Sequence, residues 1–242
     1  MANLTGAGLT GKPADSIEAI RSQVVRCERC PRLVEWRQAV AMQPPARYCG
    51  QNYWAGPLPG FGDPSARLLV VGLAPAAHGG NRTGRMFTGD RSGDWLFRAL
   101  HKTGFANQPE SAHSADGLAL TDCYVSAVVR CAPPANKPTP TERDNCLPYL
   151  ARELAVLKNV GVIVALGGFA WEGTLRALDL SANGKAKARP RFGHGVVALV
   201  HGYKLFGSYH PSQQNTFTGK LTAAAFDAVF EKARLSAVSR GV

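Results

Sequence analysis

Four cysteines of the sequence have the spacing of a metal centre. Cys27 and Cys30 form a C-x2-C pair that Pro31 follows, and Cys131 and Cys146 lie further along in proline-containing sequence. Four thiolates can bind zinc or a [4Fe–4S] cluster. Structural zinc sites usually contain two tight pairs, and the second pair here is open. The spacing therefore favours a cluster, with zinc as the alternative.

The other two cysteines are interpreted differently. Cys123 lies inside an apolar stretch and is expected to be an ordinary buried thiol. Cys49 could replace one of the four assigned ligands. Residues 1–14 lack the basic start and apolar run of a signal peptide, so we expect a cytoplasmic, reducing location without disulfides.

A glycine-rich loop carries a second set of candidates. Residues 72–90 read GLAPAAHGGNRTGRMFTGD, and glycines allow the backbone to approach a ligand closely. Phe87 can stack on a flat ring, and Arg82 and Arg85 can hold phosphates. Asp90 is the only carboxylate of the loop, so it can orient water or stabilise a cationic sugar. The alternative for Asp90 is the N-cap of the helix that follows.

This loop is a poor nucleotide-phosphate cradle. Residues 79–86 come near the G-x-x-x-x-G-K-[ST] pattern, but Arg85 replaces the lysine and Met86 replaces the Ser or Thr that magnesium requires. A nucleotide-binding redox enzyme is therefore disfavoured.

Two further polar residues follow predicted strands. Asn136, in the loop 130–138, offers both a hydrogen-bond donor and an acceptor, as required by the edge of a base on which donors and acceptors alternate. The alternative is that Asn136 only forms a turn. His210 opens the segment HPSQQNTFTGKLT and can donate to an anion that develops on a leaving group. Its alternative is a structural imidazole.

The pattern of elements predicts how these loops meet. Helical patterns lie at 15–42 with a break at Pro31, at 140–159, from 168 to about 180, and at 221–238. Buried strands are predicted at Leu68–Val71, Tyr124–Val129, Val162–Leu166, Val196–Val200 and just before Tyr209. Such alternation predicts a parallel sheet covered on both faces, with a site beyond the carboxyl ends of the strands.

The composition points to a polyanionic partner. Lys and Arg total 28 against 17 acidic residues, a formal net charge of +11. Neutralised phosphates release counterions, so a basic surface of this kind favours nucleic acid. No stretch approaches the ~18 apolar residues of a membrane span. We expect one domain over 1–242, with 1–14 flexible, and a monomer.

Together these motifs resemble a known family. The segments 72–90 and 210–222 resemble the two signature motifs of the family 5 (type b) uracil-DNA glycosylases, and Cys27, Cys30, Cys131 and Cys146 resemble that family's [4Fe–4S] ligands. The resemblance extends over most of the chain. It implies a three-layer α/β/α sandwich around a four-stranded parallel sheet. It also implies removal of uracil and other deaminated bases, such as hypoxanthine, from double-stranded DNA.

The resemblance also implies residue roles. Ala74 occupies the place where related families hold a water-activating acidic residue, so Asp90 becomes the candidate catalytic carboxylate. His210 would stabilise the leaving base, Asn136 would contact it and Phe87 would stack on it. The remaining assigned residues are Gly72 and His78 for the base, and Arg82, Arg85, Ser212, Gln214, Asn215 and Lys220 for DNA.

One position departs from the family pattern. Relatives often place a leucine wedge after the HPS segment, whereas Gln213 and Gln214 follow Ser212 here. This leaves open how the DNA helix would be invaded. From a different class, a non-catalytic iron–sulfur protein that binds DNA is the alternative function.

Overall fold

The computed structural model describes residues 15–186 and 189–238, so the expected flexibility of residues 1–14 lies outside the described residues. The chain begins with two helices, α1 (Ile17–Val24) and α2 (Pro31–Met42). Pro31 is the first residue of α2, where its missing N–H costs nothing. The predicted break at this proline is thus the boundary between two helices.

A six-stranded sheet forms the middle layer. Its strands are β1 (Phe61–Gly62), β2 (Leu68–Gly72), β3 (Cys123–Ala127), β4 (Val162–Leu166), β5 (Val197–Val200) and β6 (Tyr203–Ser208). The spatial order is β1-β3-β2-β4-β6-β5. The four central strands are parallel, which confirms the predicted four-stranded core, and the two short edge strands pair antiparallel.

The edge position of β5 corrects one prediction. Val196–Val200 was expected to belong to the parallel set, but β5 runs antiparallel to β6. His201 and Gly202 connect the two strands, and both have positive φ, 47° and 83°. A two-residue turn with this backbone produces a tight hairpin, so no crossover helix separates β5 from β6.

Helices cover both faces of the sheet. They are α3 (Gly80–Thr83), α4 (Arg91–Lys102), α5 (Pro140–Val156), α6 (Gly168–Ser181), α7 (Gln213–Phe217) and α8 (Ala223–Val238). Leu69 and Val71 of β2 face a core shared with α1, α5 and α6, whereas Leu68 and Val70 face a core shared with α4 and α8. This alternation follows from the two-residue period of a strand.

The start of α5 follows the predicted capping box. Thr139 accepts from the backbone N–H of Glu142, and the Glu142 carboxylate accepts from the backbone N–H of Thr139. Arg32 of α2 donates two hydrogen bonds of 2.7 Å to the same carboxylate. The cap thus also fixes α2 against α5. None of the described helices is long and apolar enough to cross a membrane.

Candidate active site

A cleft of about 570 Å³, called the first cleft, opens at the carboxyl edge of the sheet. Ala74, Phe87 and Asp90 line it from the loop after β2, Asn136 from the loop after β3, and His210 from the loop after β6. Backbone hydrogen bonds from Val128 to Gly72 and from Val129 to Leu73 tie the first two loops together. The sheet therefore brings together the three loops that the sequence indicated.

Phe87 forms an aromatic wall of this cleft. A Cβ atom on Gly72 would stand 2.5 Å from Phe87 Cζ, so only glycine admits the ring at the end of β2. Gly72 thus supports Phe87. The Phe87 and His210 rings lie 6.1 Å apart at 29°, close to parallel. Phe87 also has a φ of 52°, an unfavourable backbone for a bulky residue that the surrounding packing must hold.

Asp90 combines a structural position with access to the cleft. It is the N-cap of α4, and its Oδ1 accepts from the backbone N–H of Gly93 at 3.0 Å. The expected cap is therefore present. Burial raises the pKa of Asp90, partly offset by the N–H groups of Gly93 and Ser92. Its carboxylate also lines the first cleft, so capping does not withdraw it from a ligand.

Asn136 presents its side chain without a competing partner. It is exposed in the 3-10 turn Pro134–Asn136, and its amide has no hydrogen-bond partner in the part of the chain that the structure describes. Ala135 and Asn136 both have positive φ, 51° and 55°. Consecutive left-handed residues other than glycine are unfavourable, and such conformations concentrate at functional sites. The side-chain amide of Asn136 is therefore available to a ligand in the first cleft, which Asn136 lines.

His210 is held as a neutral imidazole. Burial lowers the pKa of His210 to about 4, because the charged ring is poorly solvated there. Asn215, on α7, donates through Nδ2 to the main-chain carbonyl of His210 at 2.8 Å. The Asn215 side chain therefore supports the loop that carries His210, and its expected contact with DNA stays a prediction.

The structure places His78 in another cleft. A second cleft of about 590 Å³, lined by His78, Tyr48 and Arg47, adjoins the first. His78 Nδ1 lies 2.9 Å from the Tyr53 hydroxyl, and burial together with Arg47 and Arg82 lowers the His78 pKa. His78 does not line the first cleft, and its expected contact with the base stays a prediction.

Arg85 also departs from its expected role. It is buried, and its guanidinium donates to Asp116 at 2.7 Å, to Ser111 and to Thr88. These partners use the guanidinium inside the protein, and the expected contact of Arg85 with a phosphate stays a prediction. Arg82 is less enclosed. It donates to the carbonyls of His78 and Gly89 and lies over the Tyr48 ring at 4.3 Å.

The segment after His210 forms the rim of the first cleft. Ser212 caps α7 by accepting from the backbone N–H of Asn215. Ser212, Gln213 and Gln214 line the cleft, and the two glutamines are exposed. Lys220 is exposed beyond α7, with its Nζ 4.7 Å from the Tyr209 ring centroid. These side chains are accessible to a large ligand.

The four assigned cysteines gather around one core region. Cys131 and Cys146 are buried, and Cys27 and Cys30 pack against the same core. Burial, together with the neighbouring Cys27 and Cys30, raises the pKa of Cys131 to about 11 against the opposing effect of Arg37. Within residues 15–186 and 189–238, no group of metal-ligating side chains is close enough to hold a single ion.

The two remaining cysteines lie elsewhere. Cys123 is fully buried on β3 in the opposite core, which confirms its interpretation as an ordinary thiol. Cys49 is exposed at the end of the 3-10 turn Ala46–Tyr48 and does not pack into the core of the other four.

Nitrogen donors surround the cysteine sulfurs. Arg37 Nη1 donates to Cys131 Sγ at 3.1 Å, the backbone N–H of Arg130 donates to Cys146 Sγ at 3.4 Å, and Asn145 Nδ2 lies 3.6 Å from Cys30 Sγ. Arg37 is 4% exposed, and its Nε has no partner among the described residues. A buried guanidinium without a carboxylate is costly. Such a guanidinium is stabilised by a sulfur that carries negative charge, as a metal-bound thiolate does.

Some residues of the site have no distinctive sequence signal. Arg91 lines both clefts and lies over the Phe217 ring at 4.4 Å, and Arg47 and Tyr48 form a wall of the second cleft. The proline- and glycine-rich segment around Tyr48 predicts only an irregular surface stretch. The one signal in the sequence for Arg91 is its position directly after Asp90, the candidate catalytic carboxylate.

These features are those of an α/β protein with the active site of an enzyme. An aromatic wall, a free amide, a neutral imidazole and a buried carboxylate meet in one cleft at the carboxyl edge of a parallel sheet. A family model described as the uracil DNA glycosylase superfamily matches residues 59–234. The chain belongs to the uracil DNA glycosylase superfamily.

Curated relatives agree with this membership. The chain is 52% identical over 223 residues to a type-5 uracil-DNA glycosylase of Mycobacterium leprae, covering 91% of this chain and 96% of that protein. It is 48% identical to a type-5 uracil-DNA glycosylase of Thermus thermophilus, covering 90% and 96%. A type-5 uracil-DNA glycosylase of Pyrobaculum aerophilum is 44% identical, covering 89% and 91%.

Proposed function

We propose that this protein is a uracil-DNA glycosylase that flips uracil out of double-stranded DNA and hydrolyses its N-glycosidic bond. The observation that carries the proposal is the convergence of Phe87, Asp90, Asn136 and His210 on the first cleft. Its relatives are named for the same activity. Removal of uracil begins base excision repair.

The flipped base would lie between the aromatic wall and the free amide. Phe87 stacks on the ring, and the Asn136 amide supplies both a donor and an acceptor to the uracil edge. Ala74 adds no polar group to the wall, which agrees with a range of deaminated bases, hypoxanthine included. Gly72 contributes indirectly by admitting the Phe87 ring.

The leaving base would be stabilised by His210. When the bond breaks, its electron pair departs with the base, which becomes an anion. A neutral imidazole retains one N–H that can donate to a base oxygen. The low pKa of His210, about 4, keeps the ring in this form at neutral pH.

Asp90 would stabilise the positive charge that develops on the sugar. Bond cleavage leaves an oxocarbenium-like sugar that a carboxylate stabilises electrostatically. Water then adds to the sugar carbon and loses its proton. Asp90 is the candidate acceptor, because it is the one carboxylate among the described residues that line the first cleft. Ala74 cannot activate water, so this task falls to Asp90.

A single-turnover assay tests the proposal. The protein is incubated with a duplex that contains one uracil, then heated in alkali, which cuts the strand at an abasic site. We expect scission at uracil and none in a matched thymine duplex. Duplexes with hypoxanthine test the wider range. Asp90→Asn should slow hypoxanthine removal more, because uracil is the better leaving group and needs less assistance at the sugar.

DNA binding would rest on the basic surface. The net charge of +11 favours phosphates, Ser212 and Gln214 line the first cleft, and Lys220 is exposed beyond α7. Lys220→Ala should weaken binding to all duplexes alike and flatten the salt dependence by about one counterion. The two glutamines could fill the space that the flipped nucleotide leaves.

We further propose that Cys27, Cys30, Cys131 and Cys146 hold a [4Fe–4S] cluster. A cluster is larger than one ion, so its ligands stand further apart than those of zinc. The N–H donors on the sulfurs and the unpaired charge of Arg37 suit thiolates that carry negative charge. When bound, the cluster would hold α2 and the loop 130–138 together. It supplies no step of the hydrolysis.

Three broader assignments belong to the same proposal. The protein acts as one domain over 1–242, as a monomer and in the cytoplasm. A non-catalytic iron–sulfur protein that binds DNA is the alternative. It predicts binding to uracil-containing duplex without scission in the alkali assay.

A further inference from the structure

The second cleft has no part in the proposed excision chemistry. It adjoins the first cleft, and Asp90, Arg91 and Asn136 line both. A ligand that extends from the first cleft past Asp90 therefore enters the second.

We propose that the second cleft binds one backbone phosphate beside the flipped nucleotide, with Arg47 as its principal ligand. The inference rests on the proposed function, in which the base occupies the first cleft and the sugar lies at Asp90. In a nucleotide, the sugar joins the base to the phosphates. A nucleotide with its base in the first cleft and its sugar at Asp90 therefore has a phosphate at the second cleft. Phosphate contacts of this kind fix the register of the strand.

Positive charge is concentrated around one ring of the second cleft. The guanidinium groups of Arg47 and Arg82 lie 4.8 Å and 4.3 Å from the Tyr48 ring centroid. Arg47 is exposed and forms no salt bridge with any described residue. Arg82 donates only to uncharged oxygens. Arg82 lies close enough to Asp90 to lower the pKa of that carboxyl, whereas Arg47 forms no ion pair with a described carboxylate, so Arg47 is the more available of the two to an anion.

Two carboxylates also line the second cleft. Asp90 and Asp94 both belong to the start of α4, whereas Arg47 and Arg82 come from the 3-10 turn Ala46–Tyr48 and from α3. Arg91 offsets part of the charge of Asp94, and Arg82 offsets part of the charge of Asp90. The two acids thus come from a different element than Arg47. A phosphate bound by Arg47 beside the Tyr48 ring leaves Asp90 to the sugar.

Arg47 lies outside the part of the chain that the family model matches, which is residues 59–234. The Tyr48 ring positions Arg47 by a cation–π contact, which fixes a side chain that otherwise has many rotamers. This phosphate subsite is therefore a property of the N-terminal segment.

Neutral phosphate analogues test the subsite. Uracil-containing duplexes are prepared with a single methylphosphonate at the phosphate 5′ to the uridine, 3′ to it, or several nucleotides away. We expect one of the two flanking replacements to slow single-turnover excision by wild-type protein on the order of tenfold to a hundredfold, the usual effect of one charge-assisted hydrogen bond. The distant replacement should have little effect.

Arg47→Ala connects this loss to the arginine. It should slow excision from the unmodified duplex by a similar factor, and the sensitive methylphosphonate should cause no further loss in this variant. Arg47→Lys should recover part of the rate. Arg234→Ala, at another exposed arginine on the distant helix α8, is the matched control and should behave as wild type.

The outcomes separate the inference from the function. If neither flanking methylphosphonate slows the wild type, or if its effect and that of Arg47→Ala multiply, the subsite is refuted while excision stands. A wild-type protein that binds the duplex but removes no uracil overturns the proposed function and the subsite with it.

Discussion

Asp90 lies so close to the backbone of Gly79 that a Cβ atom at position 79 would overlap the Asp90 carboxylate. Gly79 precedes α3 and Asp90 precedes α4, so this contact joins the middle of the glycine-rich loop to its last residue. Glycine at position 79 allows the carboxylate to be buried beside the first cleft while it still caps α4.

Gly79→Ala should therefore displace the Asp90 carboxylate. We expect single-turnover uracil excision to fall by roughly a hundredfold, because a shift of about 1 Å in a catalytic group can have that effect. Duplex binding should change little. Gly184→Ala is the control, since a Cβ there meets nothing closer than 3.9 Å. Equal rates for the two variants would contradict a catalytic position for Asp90.

The pH dependence of the single-turnover excision rate should reflect the ionisation of Asp90 and not that of His210. Burial raises the pKa of Asp90, so the active carboxylate is lost as pH falls through that raised value. The pKa of His210 is lowered to about 4, so its ring stays neutral at about pH 6.5, where a histidine ordinarily becomes protonated. We expect one acid limb in the single-turnover rate, absent in Asp90→Asn. Persistence of that limb in the variant would assign it to another group.

Removal of the imidazole tests the leaving-group role. His210→Ala should lower the single-turnover rate on uracil by roughly 10²–10³-fold, as is typical when one donor to a developing anion is lost. Binding of the uracil duplex, followed by fluorescence anisotropy, should remain near wild type. A wild-type rate in this variant would return His210 to the structural alternative.

The cysteine centre predicts a coloured protein. We expect broad absorption near about 400 nm from a thiolate-bound cluster, and Cys131→Ala should bleach it. Cys123→Ala is the matched control, because Cys123 is also buried but lies in the opposite core. Absorbance and iron content are the measurements. A colourless preparation with stoichiometric zinc would contradict the cluster.

Arg85 should affect stability through its buried ion pair. The Arg85–Asp116 pair is nearly inaccessible to solvent, and Asp116 has a pKa of about 2 despite burial. Arg85→Met should reduce the free energy of unfolding by about 3 kcal/mol or more, measured with urea. In wild type, this contribution is present above the ordinary Asp value of 3.8 and is lost as pH falls through about 2. The variant should show less of that acid-dependent loss, because the backbone N–H groups of Leu118 and His113 still donate to Asp116. A variant as stable as wild type would refute a stabilising role for the pair.

Local signals in the sequence were sufficient for much of the fold. The apolar runs at Leu68 and Val162 predicted central strands, and Thr139 with Glu142 predicted the start of α5. These signals depend on neighbours within a few residues, so they can be read from the chain. The direction of β5 could not be predicted in this way, because it depends on the backbone of His201 and Gly202.

The candidate site shows the same division. The sequence by itself determined which loops meet, since the carboxyl ends of parallel strands share one edge, and it identified Asp90, Asn136 and His210 on those loops. Only the tertiary structure decided that Arg85 is buried against Asp116, that Arg37 reaches Cys131, and that Arg47 lies in a second cleft. An arginine has the same local signal in each setting. Its partner comes from a distant part of the chain, and packing alone selects that partner.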